Sequence, residues 1–82
     1  MAVKVLLFGR LRDVAGWRER VIDPPPTSLA ALTASLSAED PALAAALIGP
    51  GVRAAVDKVL TLGDVALNPD AEVAFMPPMS GG

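Results

Sequence analysis

Apolar positions change their spacing from segment to segment along this chain, and each spacing predicts an element. From Val3 to Phe8 (Val-Lys-Val-Leu-Leu-Phe) a run of β-formers predicts a strand, which Gly9 closes. Arg10 to Ala15 has room for one helical turn ended by Gly16. Trp17 to Asp23 then resumes a β-like mixture of apolar and charged residues, so two strands form a hairpin with a long connection. Pro24-Pro25-Pro26 stops the second strand. Thr27 or Ser28 caps a helix along which Leu29, Leu32 and Leu36 recur at i, i+3 and i+7, a single leucine stripe. Asp40 followed by Pro41 starts a second, short helix with Leu43 and Leu47 on one face, and Gly49-Pro50-Gly51 ends it. Val52 to Val56 and Val59 to Leu62 predict two short strands about an Asp57-Lys58 turn. Asn68-Pro69-Asp70 is a further turn before the last strand, Glu72 to Met76. The order is strand, strand, helix, short helix and three strands without internal repeat, which predicts an α+β roll with one helical layer over a mixed sheet of about five strands.

Strand parity adds a prediction about the two faces of that sheet. Val3, Val5 and Leu7 share one face of the first strand and Lys4, Leu6 and Phe8 the other, so the lysine marks the outer face and turns Phe8 outward. In the last strand Val73 and Phe75 point inward, which turns Met76 outward. If Val56 and Val59 flank a two-residue turn they face inward together and leave Leu60 outward. Clustered, three large apolar residues on the outer face form a partner-binding patch; scattered, they are ordinary exposed apolar residues. Parity alone leaves both readings open, because a register shift of one residue reverses every assignment.

Composition narrows the chemistry sharply. The 82 residues include no His, Cys or Tyr, which removes disulfides, zinc-finger spacings, imidazole general bases and nucleophile pairs built on His. A chain of this length buries only about 60% of the surface its unfolded form exposes, enough for one modest core and little enclosed space. Seven basic residues, scattered along the chain, against nine acidic ones give a net charge of -2, which argues against recognition of nucleic acid. Val5 to Phe8 is too short for a signal-peptide core, and the apolar run Ala42 to Ile48 is too short to span a bilayer, so the expectation is a cytoplasmic protein without membrane contact. No metal-ligand set is evident. Lys4 and Lys58 read as solvated strand and turn residues, and Trp17 as a hairpin packing residue. Arg10 and Arg12 flank the helical turn, where they either solvate it or assist docking to an acidic partner.

Beyond Met76 the chain reads Pro77-Pro78-Met79-Ser80-Gly81-Gly82. Paired prolines favour an extended exit, so residues 1–76 are expected to form the domain and residues 77–82 a flexible tail. The glycine pair has two readings. It is either a loose end, or a backbone thin enough to enter a narrow channel and present an unhindered carboxylate as the reactive group.

The blocks Val3 to Asp13, Ala54-Ala55-Val56-Asp57 and Glu72 to Gly82 together resemble the small, sulfur-carrying subunits of molybdopterin synthases, within the ubiquitin-like β-grasp superfamily. The last block is the most specific, with Met76 standing where relatives often have Phe. The resemblance implies a β-grasp fold with the first and last strands adjacent and parallel. It also implies a carrier cycle. An adenylating enzyme of the ubiquitin-activating type, using ATP and magnesium, turns the Gly82 carboxylate into an acyl adenylate, and sulfur from a donor replaces AMP. The Gly82 thiocarboxylate, with Gly81 behind it, then enters the large synthase subunit and gives sulfur to cyclic pyranopterin monophosphate, two transfers making the dithiolene of molybdopterin. Implied further are a heterotetramer with a large-subunit dimer, no cofactor held by this chain, and partner contacts at Phe8, Leu60 and Met76 and along Pro77, Pro78, Met79 and Ser80. Catalytic lysines in that family belong to the large subunit. Rival readings are a sulfur carrier for thiamine or sulfur amino-acid synthesis, a ubiquitin-like modifier or binding module joined to lysines of other proteins, and a free-standing structural domain.

Overall fold

The leucine stripe and the alternating strands meet as expected in a computed structural model, which describes residues 1–78. Five strands, β1 (Val3–Leu7), β2 (Glu19–Ile22), β3 (Arg53–Val56), β4 (Val59–Thr61) and β5 (Glu72–Met76), make one sheet in the order β2-β1-β5-β3-β4. β1 and β5 are parallel, with Val5 opposite Val73 and Leu7 opposite Phe75; every other pairing is antiparallel. The expected mixed sheet, with its first and last strands paired at the centre, is the one observed. The strands β3 and β4 are each trimmed slightly relative to the spacing, to Arg53–Val56 and Val59–Thr61.

One helix crosses the inner face. α2 (Leu29–Glu39) buries Leu29, Leu32 and Leu36 against Val3, Val5, Leu7, Val73 and Phe75. Ser28 is its cap, its hydroxyl accepting from the Ala31 N–H at 3.0 Å, as the sequence suggested. The Asp64 carboxylate accepts from the Ala30 N–H at 2.8 Å, a second cap supplied from a distant loop. α3 (Pro41–Leu47) begins as predicted, with the Asp40 carboxylate accepting from the N–H groups of Ala42 and Leu43 and Pro41 in the first turn. α1 (Gly9–Ala15) buries Leu11 in the same core and ends at Gly16, whose φ of 82° is the left-handed conformation a helix-ending glycine supplies. Trp17 packs on the core beside the hairpin, and the Arg20 guanidinium lies 4.4 Å from its ring centre while reaching Glu39 on α2 at 3.3 Å.

The β3–β4 hairpin turns at Asp57 and Lys58, both left-handed with φ of 50° and 71°, which is the two-residue turn the spacing implied. Asp57 earns its place through hydrogen bonds: its backbone N–H donates to the Glu72 carbonyl at 2.8 Å and its carboxylate accepts from the Glu72 N–H at 3.0 Å. Val59 departs from expectation. It shares the helix-side face with Val56, its cross-strand partner, yet is 67% exposed. The reason is position: β4 is the sheet edge, and among the described residues none of its side chains joins the core, whereas Val56 one strand inward does pack on it.

Truncating Leu32, fully buried beneath the sheet, is expected to cost about 2–5 kcal/mol in equilibrium denaturation. Lys58→Gly should instead stabilise the fold by up to about 1 kcal/mol, because glycine relieves a left-handed lysine in the turn. Thermal melting of the two variants measures both signs.

Candidate functional site at the exit of the chain from the sheet

Cross-strand register defines the outer face of the sheet row by row. Leu60 on β4 is opposite Ala55 on β3, Ala55 is opposite Ala74 on β5, and Ala74 is opposite Leu6 on β1. Directly opposed residues share a face, and this row lies on the side away from α2. Two residues further along β5 stands Met76, opposite Arg53, with Phe8 immediately beyond the end of β1. The Phe8 N–H donates to the Phe75 carbonyl at 3.2 Å, continuing the β1–β5 ladder and holding Phe8 beside the end of β5.

Parity therefore assigned these side chains correctly. Phe8 is 47% exposed and Leu60 60% exposed, while Met76 is half-buried. Phe8 and Met76 end neighbouring strands, and Leu60 lies across β3 from them. What joins the three is a low floor that the sequence reading did not assign to the site: Ala55, Ala74 and the half-buried Leu6. Ala55 is buried although it belongs to no part of the core beneath the sheet; it stands in the row between Leu60 and Ala74. Leu6 carried a usable signal, since it stands two residues before Phe8 on the same face. The two alanines carried none, as small residues occur on either face of a sheet.

Pro77 and Pro78 continue from Met76 over the end of the fold. Pro77 is half-buried and Pro78 exposed. Together with Arg10, Leu11, Ala45, Ala46, Gly49, Pro50 and Val52 they line a shallow groove of about 300 Å³ between α1 and α3. A second shallow hollow, beside Phe8, is lined by Leu6, Arg12 and Arg18. Arginine thus borders the exit at Arg10, Arg12, Arg18 and Arg53, with Asp13 drawn to Arg12 at 3.7 Å. Met79, Ser80, Gly81 and Gly82, the remaining residues singled out in the sequence, lie outside the described residues.

Nothing in the described part of the chain builds an enclosed reaction centre. Among the described residues no polar or charged side chain is buried, and no cluster of three Asp, Glu, His or Cys side chains is placed to hold a metal ion. No helix of the described residues is long and apolar enough to cross a membrane. What the arrangement offers chemically is presentation: an apolar, arginine-bordered surface surrounding the point where the chain leaves the sheet.

Phe8 and Leu7 give a direct test of this geometry, being adjacent in sequence and on opposite faces. Phe8→Asp is expected to leave the melting temperature nearly unchanged. Leu7→Asp buries an unpaired carboxylate in the core and should cost more than about 4 kcal/mol, most of the stability of a domain at the lower end of the usual range of about 5–15 kcal/mol. Circular dichroism melts of the pair check the assignment.

Known proteins resemble the chain in both sequence and fold. It is 32% identical over 80 residues to the molybdopterin synthase sulfur carrier subunit of Escherichia coli, a match covering 98% of this chain and 99% of that one. Among solved structures, the small archaeal modifier protein 1 of Haloferax volcanii superposes with a TM-score of 0.85 at 24% identity over the whole of both chains, a likeness of fold. A putative molybdopterin converting factor subunit 1 from Pyrococcus furiosus superposes with a TM-score of 0.80 at 26% identity, covering 96% of this chain and 99% of that one. The fold is the β-grasp of ubiquitin-like proteins. Residues 5–82 match the ThiS family, a span that takes in every helix and all but the first residues of β1, and the chain belongs to that family.

Proposed function

We propose that this protein is the sulfur carrier of a molybdopterin synthase, its C-terminal glycine serving as the site of sulfur loading. The observation that carries the proposal is the placement of the exit: the segment leading to Gly81-Gly82 leaves the centre of the sheet between Phe8, Met76 and the arginine border, a surface suited to docking. Likeness to the carrier subunit of Escherichia coli over nearly the full length of both chains supports it.

In this reading a Gly82 carboxylate oxygen attacks the α-phosphorus of ATP held, with magnesium, by an adenylating partner enzyme, and pyrophosphate leaves. A hydrosulfide equivalent from a sulfur donor attacks the acyl carbon of the adenylate. AMP leaves with the electron pair of the acyl C–O bond, and a proton is released, giving the thiocarboxylate. The loaded end then enters a large synthase subunit, where sulfur passes to cyclic pyranopterin monophosphate. This chain contributes the carboxylate, a thin backbone through which the partner's groups approach it, and the docking surface. The reacting groups around the acyl carbon come from its partners, in keeping with the absence of His and Cys from the sequence.

Incubation with the adenylating enzyme, ATP and sulfide should raise the protein's mass by the difference between sulfur and oxygen. Deleting Gly82 should abolish that gain and all molybdopterin formation with the large subunit while leaving the melting curve unchanged. Phe8→Asp should weaken binding to the large subunit by about tenfold or more, as expected for a large apolar anchor at an interface. Full activity of the Gly82 deletion would exclude the carrier role, and a mass gain equal to a whole attached protein would identify a conjugated modifier instead.

A further inference from the structure

We propose that Gly9 and Gly51 are positioning residues: two missing side chains form a seat for Pro77 and Pro78 and so aim the chain as it leaves the fold. The inference rests on the carrier reading for its functional consequence, though not for its geometry. Gly9 opens α1, separated from β1 by Phe8 alone, and Gly51 belongs to the loop between α3 and β3. These positions are 42 residues apart in sequence (51 minus 9), yet each faces one of two consecutive prolines. A Cβ added at Gly9 would stand 2.9 Å from Pro77 Cγ and 3.6 Å from Pro77 Cδ. At Gly51 it would stand 2.6 Å from Pro78 Cβ and 3.5 Å from Pro78 Cα.

Such distances require movement: at Gly9 the nearest atom, Pro77 Cγ, yields only as far as ring pucker allows, and at Gly51 the obstructing atoms move with the chain. Pro78 Cβ and Cα belong to the ring and backbone, and a proline ring has no free rotamer that swings it aside. An alanine at Gly51 therefore displaces the chain itself at Pro78. The double contact matters because prolines hold φ near -65°, so two of them in succession, each set down on a glycine, leave few directions for departure. The seat lies beside Phe8 and the groove lined by Arg10 and Leu11, so departure is referred to the same surface that docks the partner. For a carrier, that registry decides whether the reactive end arrives at the partner's reaction centre.

Two other glycines supply an internal control. Gly9 and Gly51 have left-handed φ of 55° and 81°, so alanine is strained at both irrespective of the prolines. Gly16 and Gly63 have φ of 82° and 77°, the same strain, with nothing within 4 Å of an added Cβ. Alanine at Gly16 or Gly63 therefore reproduces the backbone strain without touching the exit.

The experiment attaches a nitroxide to Ser80→Cys, the sole cysteine of the full chain, and maps the broadening of backbone NMR signals over the domain. The labelled parent, Gly16→Ala and Gly63→Ala should share one broadening pattern, whereas Gly9→Ala and Gly51→Ala should each shift it away from the surface around Phe8 and Arg10. In the unlabelled protein kcat/KM for loading by the adenylating enzyme should fall by about tenfold to a hundredfold in Gly51→Ala, the scale of misplacing a reacting group by about 1 Å. Pro78→Gly, which leaves the glycines intact, should show a comparable loss, and in that background Gly51→Ala should add less than about twofold, since the clash is gone. Those proline variants also decide the matter should either alanine variant fail to fold. Unchanged broadening in Gly9→Ala and Gly51→Ala, or equal losses of loading in Gly16→Ala and Gly63→Ala, would overturn the seat. A parent protein that never gains sulfur would instead sink the carrier reading, and the broadening maps would still judge the seat.

Discussion

Parallel pairing of β1 with β5 is the constraint on which the rest of the molecule depends. Antiparallel neighbours would send the ends of these strands to opposite edges of the domain. Parallel neighbours bring the end of β1, with Phe8 and Gly9, next to the end of β5, with Met76 and Pro77. The pairing also joins the first and last strands of the fold, closing a long loop whose entropic cost rises only slowly with length. That closure is stabilised from below. Val3, Val5, Leu7, Val73 and Phe75 present a continuous apolar surface, and the leucine stripe of α2 covers it.

Because the helical layer lies on one side, the two faces of the sheet do different work. The inner face supplies stability through burial of apolar area, to the extent that no polar side chain among the described residues is buried. The outer face is left uncovered by helix, and it mixes Phe8, Leu60, Met76 and Leu6 with Lys4, Glu19, Glu72 and Arg53. Its sheet edges are treated differently from its centre. β4 is only three residues long, and β2 is only four and begins with the charged pair Glu19 and Arg20, both of which discourage pairing with another chain.

A division of labour follows for the chemistry. The domain is small and has no His or Cys, and the groove and hollow at its exit are shallow. It can hold the end of its own chain in register with a docking surface. The carrier reading asks no more of it than this, and the two glycines beneath the prolines are where the register would be set.

Local rules made most of the architecture legible. The Ser28 and Asp40 caps, the leucine stripe, the glycine end of α1 and the left-handed Asp57-Lys58 turn each follow from a few neighbouring residues, because propensity, capping and periodicity act over one or two turns of chain. Parity likewise carried Phe8, Leu60 and Met76 to the outer face, since side chains alternate wherever a strand is regular. The resemblance of the last block to sulfur carriers supplied the role proposed for the glycine pair, which no periodicity contains. Only the tertiary structure decided what depends on residues distant in sequence coming together. Asp64 capping α2, Asp57 binding the start of β5, the alanine floor at Ala55 and Ala74, and the exposure of Val59 at an uncovered edge are of this kind. So are Gly9 and Gly51. In sequence they are a strand stop and a turn residue; in space each is the absence of a side chain where a proline rests, and an absence becomes visible only when its neighbour is in place.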